Sequence, residues 1–197
     1  MSISSVIIIA PIVLFSIIAV AVILERSIFL SRNKVPLDYY KNPHIEEFAD
    51  FRQLVAKRRN KTLFDKFLSN LMQKTFKSKE ALREYIDTEL AGIVILYNKR
   101  VYLIGVFARL STLLGLLGTV VGMISAFNNI VSKGISNAGI VASGISTALL
   151  TTAVGLIVAI PLTFFYEHFL ARIDDEMKKM EIIISHMLSL LYGGTAK

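Results

Sequence analysis

Apolar residues in this chain are gathered into three long blocks, separated by stretches rich in charged side chains. The blocks run from about residue 6 to 24, from 110 to 130 and from 140 to 166. Each reaches the roughly 20 residues that a helix needs to cross about 30 Å of hydrocarbon. The pattern predicts an all-α integral membrane protein with three transmembrane helices.

The segments between the blocks carry helical periodicity. Residues 43–76 suit two short amphipathic helices, the first with Asn42 as its N-cap and Pro43 at its first position. From Lys79 an apolar stripe with spacings of three and four runs into the second block without a stop signal, which predicts one continuous helix over 79–131. The stripe comprises Leu82, Ile86, Leu90, Ile93, Tyr97, Val101 and Ile104.

A heptad-like seam follows the third block and suits a helix packed beside another long helix. Its members are Ile173, Met177, Met180, Ile184, Met187 and Leu191. Both long helices are therefore expected to extend from the membrane into the cytoplasm. The predicted organisation is an N-terminal membrane helix (1–25), a cytoplasmic helical insert (26–78), a long helix (79–131), a periplasmic turn (132–139) and a second long helix (140–192).

The distribution of charge predicts the topology. The net charge is +7, but no Lys or Arg precedes Arg26, and only Lys133 lies between the second and third blocks. By the positive-inside rule, residues 25–100 and the C-terminal tail face the cytoplasm, and the N-terminus faces the opposite side of the membrane. The basic excess is thus a topology signal, aided by anionic lipid, and we expect no nucleic-acid binding.

The second block has one face of small and hydroxylated side chains, formed by Thr112, Gly115, Thr119 and Gly122 with Gly118 beside them. Small residues let helices approach closely in lipid, so the three glycines are assigned to helix packing. The two threonines are candidates to line an aqueous or proton-conducting path. The alternative is a hydrogen bond from each hydroxyl to its own preceding turn.

The third block repeats this arrangement. Gly144 and Gly155 are assigned to packing, and Pro161 is expected to kink the helix. The candidate pathway hydroxyls are Thr147, Thr151 and Thr152. Thr147 and Thr152 lie about 140° apart on a regular helix, so one face cannot hold both.

Ionisable and catalytic groups are missing where a membrane enzyme or channel would need them. No Asp, Glu, His or Lys lies inside the three blocks, although embedded ionisable groups usually mark ion paths. If the chain moves protons, the titrating carboxylate must come from another polypeptide. The chain has no cysteine and only scattered histidines, so we expect no metal, no cofactor and no enzyme activity.

Two segments carry a family resemblance: LLGLLGTVVGMISAF at 113–127 and VASGISTALLTTAVGLIVAIPLTFFYE at 141–167. They resemble the ExbB/TolQ/MotA proton-channel family, most closely its ExbB/TolQ branch, over about residues 105–170. Three spans and a short insert disfavour the MotA branch, which has four spans.

The resemblance implies a homo-oligomer, typically a pentamer, in the bacterial cytoplasmic (inner) membrane, with the last two spans around a central pore. A dimer of an ExbD- or TolR-like single-span protein, which carries the proton-binding Asp, would sit in that pore. Ion flow would drive a TonB- or TolA-like protein, for transport across the outer membrane or for envelope maintenance of the Tol-Pal type. On this view the small-residue faces pack against sister subunits and look onto the pore.

Carried over by position, Thr119 matches the pore threonine of the second span, and Thr152 that of the third. Two positions depart from the family pattern: Thr147 stands where the family has Glu, and Arg109 stands where a small or apolar residue is expected. Other classes of function also fit the residues, namely a stand-alone ion channel or transporter and a structural membrane scaffold.

Overall fold

The computed structural model of the protein describes residues 3–41, 47–58, 61–133 and 138–193. Within these ranges the secondary structure is helical, without strands. The helices are α1 (Ile3–Arg32), α2 (Leu37–Tyr40), α3 (Phe48–Lys57), α4 (Leu63–Gln73), α5 (Lys79–Asn98), α6 (Val101–Lys133) and α7 (Ala138–Gly193). Three helical stretches are long and apolar enough to cross a membrane: Val6–Tyr40, Lys79–Asn128 and Ala142–Tyr192. The predicted all-α fold with three membrane-spanning helices is confirmed.

The chain divides into two compact units, to which α1 and α7 both contribute. The first, here called the apolar unit, comprises Met1–Glu25 and Arg100–Phe169 and holds the three apolar blocks. The second, the charged unit, comprises Arg26–Lys99 and Leu170–Lys197. Large apolar side chains stay exposed on the apolar unit, as for Leu113 (60%) and Ile157 (70%), which is what a lipid-facing surface requires.

An aromatic core organises the charged unit. Tyr40, Phe51 and Phe64 are fully buried, and the Tyr40 ring lies 5.7 Å from that of Phe51 and 6.3 Å from that of Phe64. Asp65 is buried beside them and accepts a 2.7 Å hydrogen bond from the Tyr40 hydroxyl. The short helix α2, which the sequence pattern did not predict, brings Tyr40 into this core.

The two short helices of the insert are present with adjusted limits. The first begins at Phe48, and the predicted cap at Asn42 and Pro43 lies outside the described residues. The second is α4, which starts with a capping box between Thr62 and Asp65. At the next helix, the hydroxyl of Ser78 accepts the N–H of Ala81 at 3.1 Å and so caps α5.

The prediction of one continuous helix over 79–131 is wrong at one point. The chain leaves the helix at Lys99 and Arg100, between α5 and α6. Arg100 has φ of 63°, the left-handed region that interrupts helical hydrogen bonding and that non-glycine residues seldom adopt. Its guanidinium lies 2.6 Å from the carboxylate of Glu25 on α1, within the apolar unit. No Gly or Pro marks this break, which is why the sequence pattern missed it.

Both predicted apolar stripes are largely buried. All members of the first are buried except the half-buried Leu90. On α7 the seam buries Ile173, Met180, Ile184 and Met187, and leaves Met177 and Leu191 half-buried. Glu176 is buried next to this seam, where its carboxylate accepts the Val35 N–H at 2.5 Å. The helices reach further toward the predicted periplasmic turn than expected, and residues 134–137 of that turn lie outside the described ranges.

Candidate functional site

Within the apolar unit, α6 and α7 meet backbone to backbone along a line of glycines. A Cβ atom at Gly155 would lie 2.6 Å from the carbonyl oxygen of Ser111 and 3.0 Å from the Cα of Gly115. A Cβ at Gly115 would in turn lie 3.1 Å from the carbonyl oxygen of Thr151. Since backbone atoms cannot rotate away, the two helices reach this separation only without side chains there.

The same contact continues toward the ends of the two helices. A Cβ at Gly122 would come within 2.6 Å of the Ala148 Cβ, and a Cβ at Gly144 within 2.7 Å of the Ala126 Cβ. At Gly118 a Cβ would overlap the side chain of Thr151. We call this contact the glycine seam; its glycines are Gly115, Gly118, Gly122, Gly144 and Gly155.

The glycine seam corrects one expectation. The small face of the second span was expected to pack against sister subunits, whereas it packs against α7 of the same chain. The physical reason is that both long helices carry matching small faces, and a short connection holds them close together. The bulky face of α6, with Leu113, Leu117 and Val120, is the exposed one.

Thr151 lies inside the glycine seam. It is 2% exposed, and its hydroxyl donates a 2.6 Å hydrogen bond to the Ala148 carbonyl and lies 3.4 Å from that of Gly115. The Thr151 hydroxyl is therefore enclosed between α6 and α7, and its predicted role in the pathway stays a prediction.

Thr152 makes a hydrogen bond between helices. Its half-buried hydroxyl donates to the carbonyl oxygen of Gly115 on α6 at 2.8 Å. From the sequence, Thr152 was expected to line the pore, to serve a helix interface different from that of Thr147, or to bond within its own helix. The observed bond spans the glycine seam and leaves the hydroxyl lone pairs available.

The remaining candidate threonines donate within their own helices. The Thr112 hydroxyl donates a 3.2 Å hydrogen bond to the carbonyl oxygen of Ala108, and the Thr119 hydroxyl donates a 2.6 Å hydrogen bond to that of Leu116. Thr147 donates to the Ser143 carbonyl at 2.8 Å. Thr112 is exposed, and Thr119 and Thr147 are half-buried. These hydroxyls border the glycine seam, because each threonine lies three residues from a seam glycine on its own helix, and residues three apart share one side of a helix.

Ser111 is a polar residue of the glycine seam, and the sequence pattern assigned it no role of its own. It is fully buried, and among the described residues its hydroxyl has no hydrogen-bond partner. Only its place beside the small face hinted at this position.

α7 continues through Pro161, which is exposed.

The electrostatics of the apolar unit are set at the ends of the spans. Arg109 is exposed on α6, and Glu167 and His168 are exposed on α7 after the third block. Among the described residues no three His, Asp or Glu side chains are grouped to hold a metal ion. What the site offers chemically is a set of hydroxyl oxygens, without an Asp, Glu, His or Lys in the spans.

The chain is similar in sequence to known membrane proteins. The sequence model of the MotA/TolQ/ExbB proton channel family matches residues 59–182. An ExbB-like biopolymer transport protein of Synechocystis sp. is 31% identical over 189 residues, which cover 92% of this chain and 74% of that protein. The biopolymer transport protein ExbB of Aquifex aeolicus is 40% identical over 86 residues.

The chain does not match all of these relatives over their full length. The Aquifex match covers 44% of this chain and 58% of the relative, and a match to exbB1 of Vibrio cholerae covers 44% of that protein. Among solved structures, C. jejuni MotAB superposes with a TM-score of 0.63 over 96% of this chain and 78% of that one, at 21% identity. At that identity the likeness concerns the fold.

Proposed function

Because the chain belongs to the MotA/TolQ/ExbB proton channel family, we propose that it is the ring-forming subunit of an ion-driven motor in a bacterial cytoplasmic membrane. Copies of this chain, typically five in the family, surround a single-span partner of the ExbD or TolR type. The N-terminus faces the periplasm, and the insert and C-terminal tail face the cytoplasm, as the charge distribution predicts.

The observation that carries the proposal is a set of hydroxyls in the spans without a titrating group. The three apolar blocks contain no Asp, Glu, His or Lys, and Thr147 replaces the family's glutamate. Hydroxyls can relay hydrogen bonds to water, but they do not store a proton at physiological pH. The titrating acid of the pathway is therefore supplied by the partner's Asp.

The residues assigned to the pathway are Thr112, Thr119, Thr147 and Thr152. Each donates its only proton to a carbonyl oxygen, so each presents lone pairs that accept hydrogen bonds from water or a hydrated proton. Thr151 is left out of this set because it is buried. The glycine seam holds α6 and α7 together as one wall, so that motion is confined to the boundary with the partner.

The work done by this motor is transmitted to a TonB- or TolA-like protein. Several relatives bear the name biopolymer transport protein ExbB, which favours energised transport across the outer membrane over envelope maintenance. The family is a proton-channel and transport family, and its name does not describe an enzyme.

The proposal is tested by co-expression with an ExbD- or TolR-like protein, native mass measurement and proton flux in liposomes. We expect a complex of several copies of this chain with the partner. Flux should need both proteins and vanish when the partner's membrane Asp is replaced by Asn. Flux from this chain alone would establish a stand-alone channel and overturn the proposal.

Matched hydroxyl variants separate the motor from a structural scaffold. Thr119→Ala should lower the flux of the assembled complex. Ser125→Ala removes an exposed hydroxyl about 120° around the same helix and should leave the flux unchanged. Equal flux in both variants, with the complex intact, would favour the scaffold.

A further inference from the structure

The charged unit contains a large groove whose lining includes none of the candidate pathway residues. It has a volume of about 910 Å³ and lies between the end of α4, the start of α5 and the last turns of α7. A smaller cavity of about 220 Å³ shares Arg52, Met72 and Gln73 with it and extends it along α3. Ligand sites commonly have volumes of about 300 to 1,000 Å³, so the groove is large enough for several side chains of a bound molecule.

The floor of the groove is apolar. Leu71, Leu82 and Met187 are buried at its base, while Met72 and Leu191 are half-buried and remain accessible. Unbranched, polarizable methionine side chains adapt to differently shaped partners, which is why they are frequent at surfaces that bind amphipathic helices. The floor thus suits large apolar side chains.

The rim of the groove is positively charged. Arg52, Lys74 and Lys79 line it and are exposed, and no described lining residue is acidic. None of the three forms an ion pair with another described residue.

Two of the three rim cations lie over aromatic rings. The Lys74 ammonium lies 4.0 Å from the centre of the Tyr85 ring, and the Lys79 ammonium 4.2 Å from that of Tyr192. A cation–π contact orients an ammonium group without neutralising it, because the ring carries no net charge. The rim therefore presents positioned positive charge.

We propose that this groove is the docking site for an acidic amphipathic helix of a partner protein. Apolar side chains at positions i, i+3, i+4 and i+7 of such a helix would fill the floor, and its carboxylates would meet the cationic rim. Charge complementarity selects the sign of the partner, since a basic helix would bring like charges together. The proposal does not depend on the ion pathway.

Other occupants fit the groove less well. The residues that follow Tyr192 in this sequence, GGTAK, offer neither a large apolar side chain nor an acid. An anionic bilayer surface would satisfy the rim but would leave the concave floor without side chains to fill it.

The test uses the full chain in nanodiscs of neutral lipid and a fluorescein-labelled helical peptide of roughly 18 residues, long enough to form a helix. The peptide carries leucines on one face and glutamates elsewhere. One comparison peptide replaces every glutamate by lysine, and a second scrambles the leucine positions. We expect fluorescence anisotropy to show binding of the acidic peptide at least about tenfold tighter than either comparison, weakening with added salt.

Charge-reversed variants locate the site. Arg52→Glu with Lys79→Glu should abolish the preference for the acidic peptide. Lys57→Glu with Arg83→Glu makes the same change in net charge at exposed positions outside the groove and should retain it. Circular dichroism verifies that both variants are folded, and the salt dependence of the unsubstituted protein does not rely on any variant.

Three outcomes would overturn the proposal. They are equal binding of the acidic and basic peptides, binding of the scrambled peptide as tight as that of the amphipathic one, and equal loss of binding in both charge-reversed variants. Displacement of the peptide by phosphatidylglycerol vesicles but not by phosphatidylcholine vesicles would assign the surface to anionic lipid instead.

Discussion

The hydroxyl of Thr152 donates a 2.8 Å hydrogen bond to the carbonyl oxygen of Gly115 on the neighbouring helix. The bond crosses the glycine seam where the two backbones lie close together, since a Cβ on Gly115 would lie 3.2 Å from the Cα of Thr152. One side chain therefore joins the two long helices and also borders the proposed pathway.

Thr152→Val should weaken the contact between α6 and α7, because valine keeps the shape of threonine and removes the donor. The expected loss of stability is about 0.6 kcal/mol, the average for hydrogen bonds between membrane helices. Thr152→Ser keeps a hydroxyl and should lose less. Denaturation in mixed detergent micelles measures the difference, and a valine variant as stable as the unsubstituted protein would show that the bond contributes nothing.

Substitution of the seam glycines should be destabilising in proportion to the rigidity of the atoms they meet. Gly155→Ala places a methyl group against the Ser111 carbonyl and should cost about 1–3 kcal/mol, as overpacked cores do. Gly118→Ala would bring its methyl group within 2.5 Å of the Thr151 Cβ, which rotation of that side chain does not move, so it should be destabilising as well.

Gly92 on α5 provides the matched control for these substitutions. No atom lies within 4 Å of where its Cβ would be, so Gly92→Ala should stabilise the helix by about 0.5–1 kcal/mol. Thermal unfolding should rank Gly92→Ala as the most stable of the three variants, with Gly118→Ala and Gly155→Ala both less stable than the unsubstituted protein. A Gly155→Ala variant as stable as Gly92→Ala would contradict the close approach of the helices.

The break between α5 and α6 should respond to backbone conformation more than to charge. Glycine at position 100 adopts the left-handed conformation without strain, whereas alanine pays a penalty of about 1–2 kcal/mol there. Both substitutions remove the ion pair between Arg100 and Glu25. Arg100→Gly should therefore be more stable than Arg100→Ala by about 1 kcal/mol. Since the ion pair is exposed, Glu25→Gln should change stability by less than about 1 kcal/mol. Thermal unfolding ranks the variants, and equal stability of the glycine and alanine proteins would count against a strained break.

The stability of the charged unit should fall above pH 10. Burial raises the pKa of Tyr40 above its ordinary value of 10.0, and the hydrogen bond to the Asp65 carboxylate raises it further. In the unfolded chain the phenol loses its proton near pH 10, while the folded chain keeps it. The unfolded state then binds fewer protons, so the stabilising contribution is complete below pH 10 and is lost as pH rises beyond it.

The Tyr40→Phe variant isolates this dependence from other titrating groups. It should be less stable at neutral pH, by about 1 kcal/mol for the lost hydrogen bond. Above pH 10 its stability should fall less steeply than that of the unsubstituted protein, by about 1.4 kcal/mol per pH unit for one proton. Urea unfolding at pH 8 to 11 measures both slopes, and parallel slopes would contradict a raised pKa in the folded state.

The sequence by itself determined the all-α class, the three spans and the family. Hydrophobic length, the segregation of charge and the spacing of small residues are local properties of the chain, and they do not depend on which surfaces meet. The buried stripe from Leu82 to Ile104 and the seam from Ile173 to Met187 follow from periodicity in the same way.

Only the tertiary structure decided what each small face meets. The sequence shows that Gly115, Gly118 and Gly122 need a close neighbour, but a sister subunit and the second long helix of the same chain are equally compatible with it. The break at Arg100 also needed the fold, because a left-handed arginine has no local signal and is kept by its surroundings. Periodicity shows which side of a helix is small or apolar, whereas its partner depends on contacts between segments far apart in the chain.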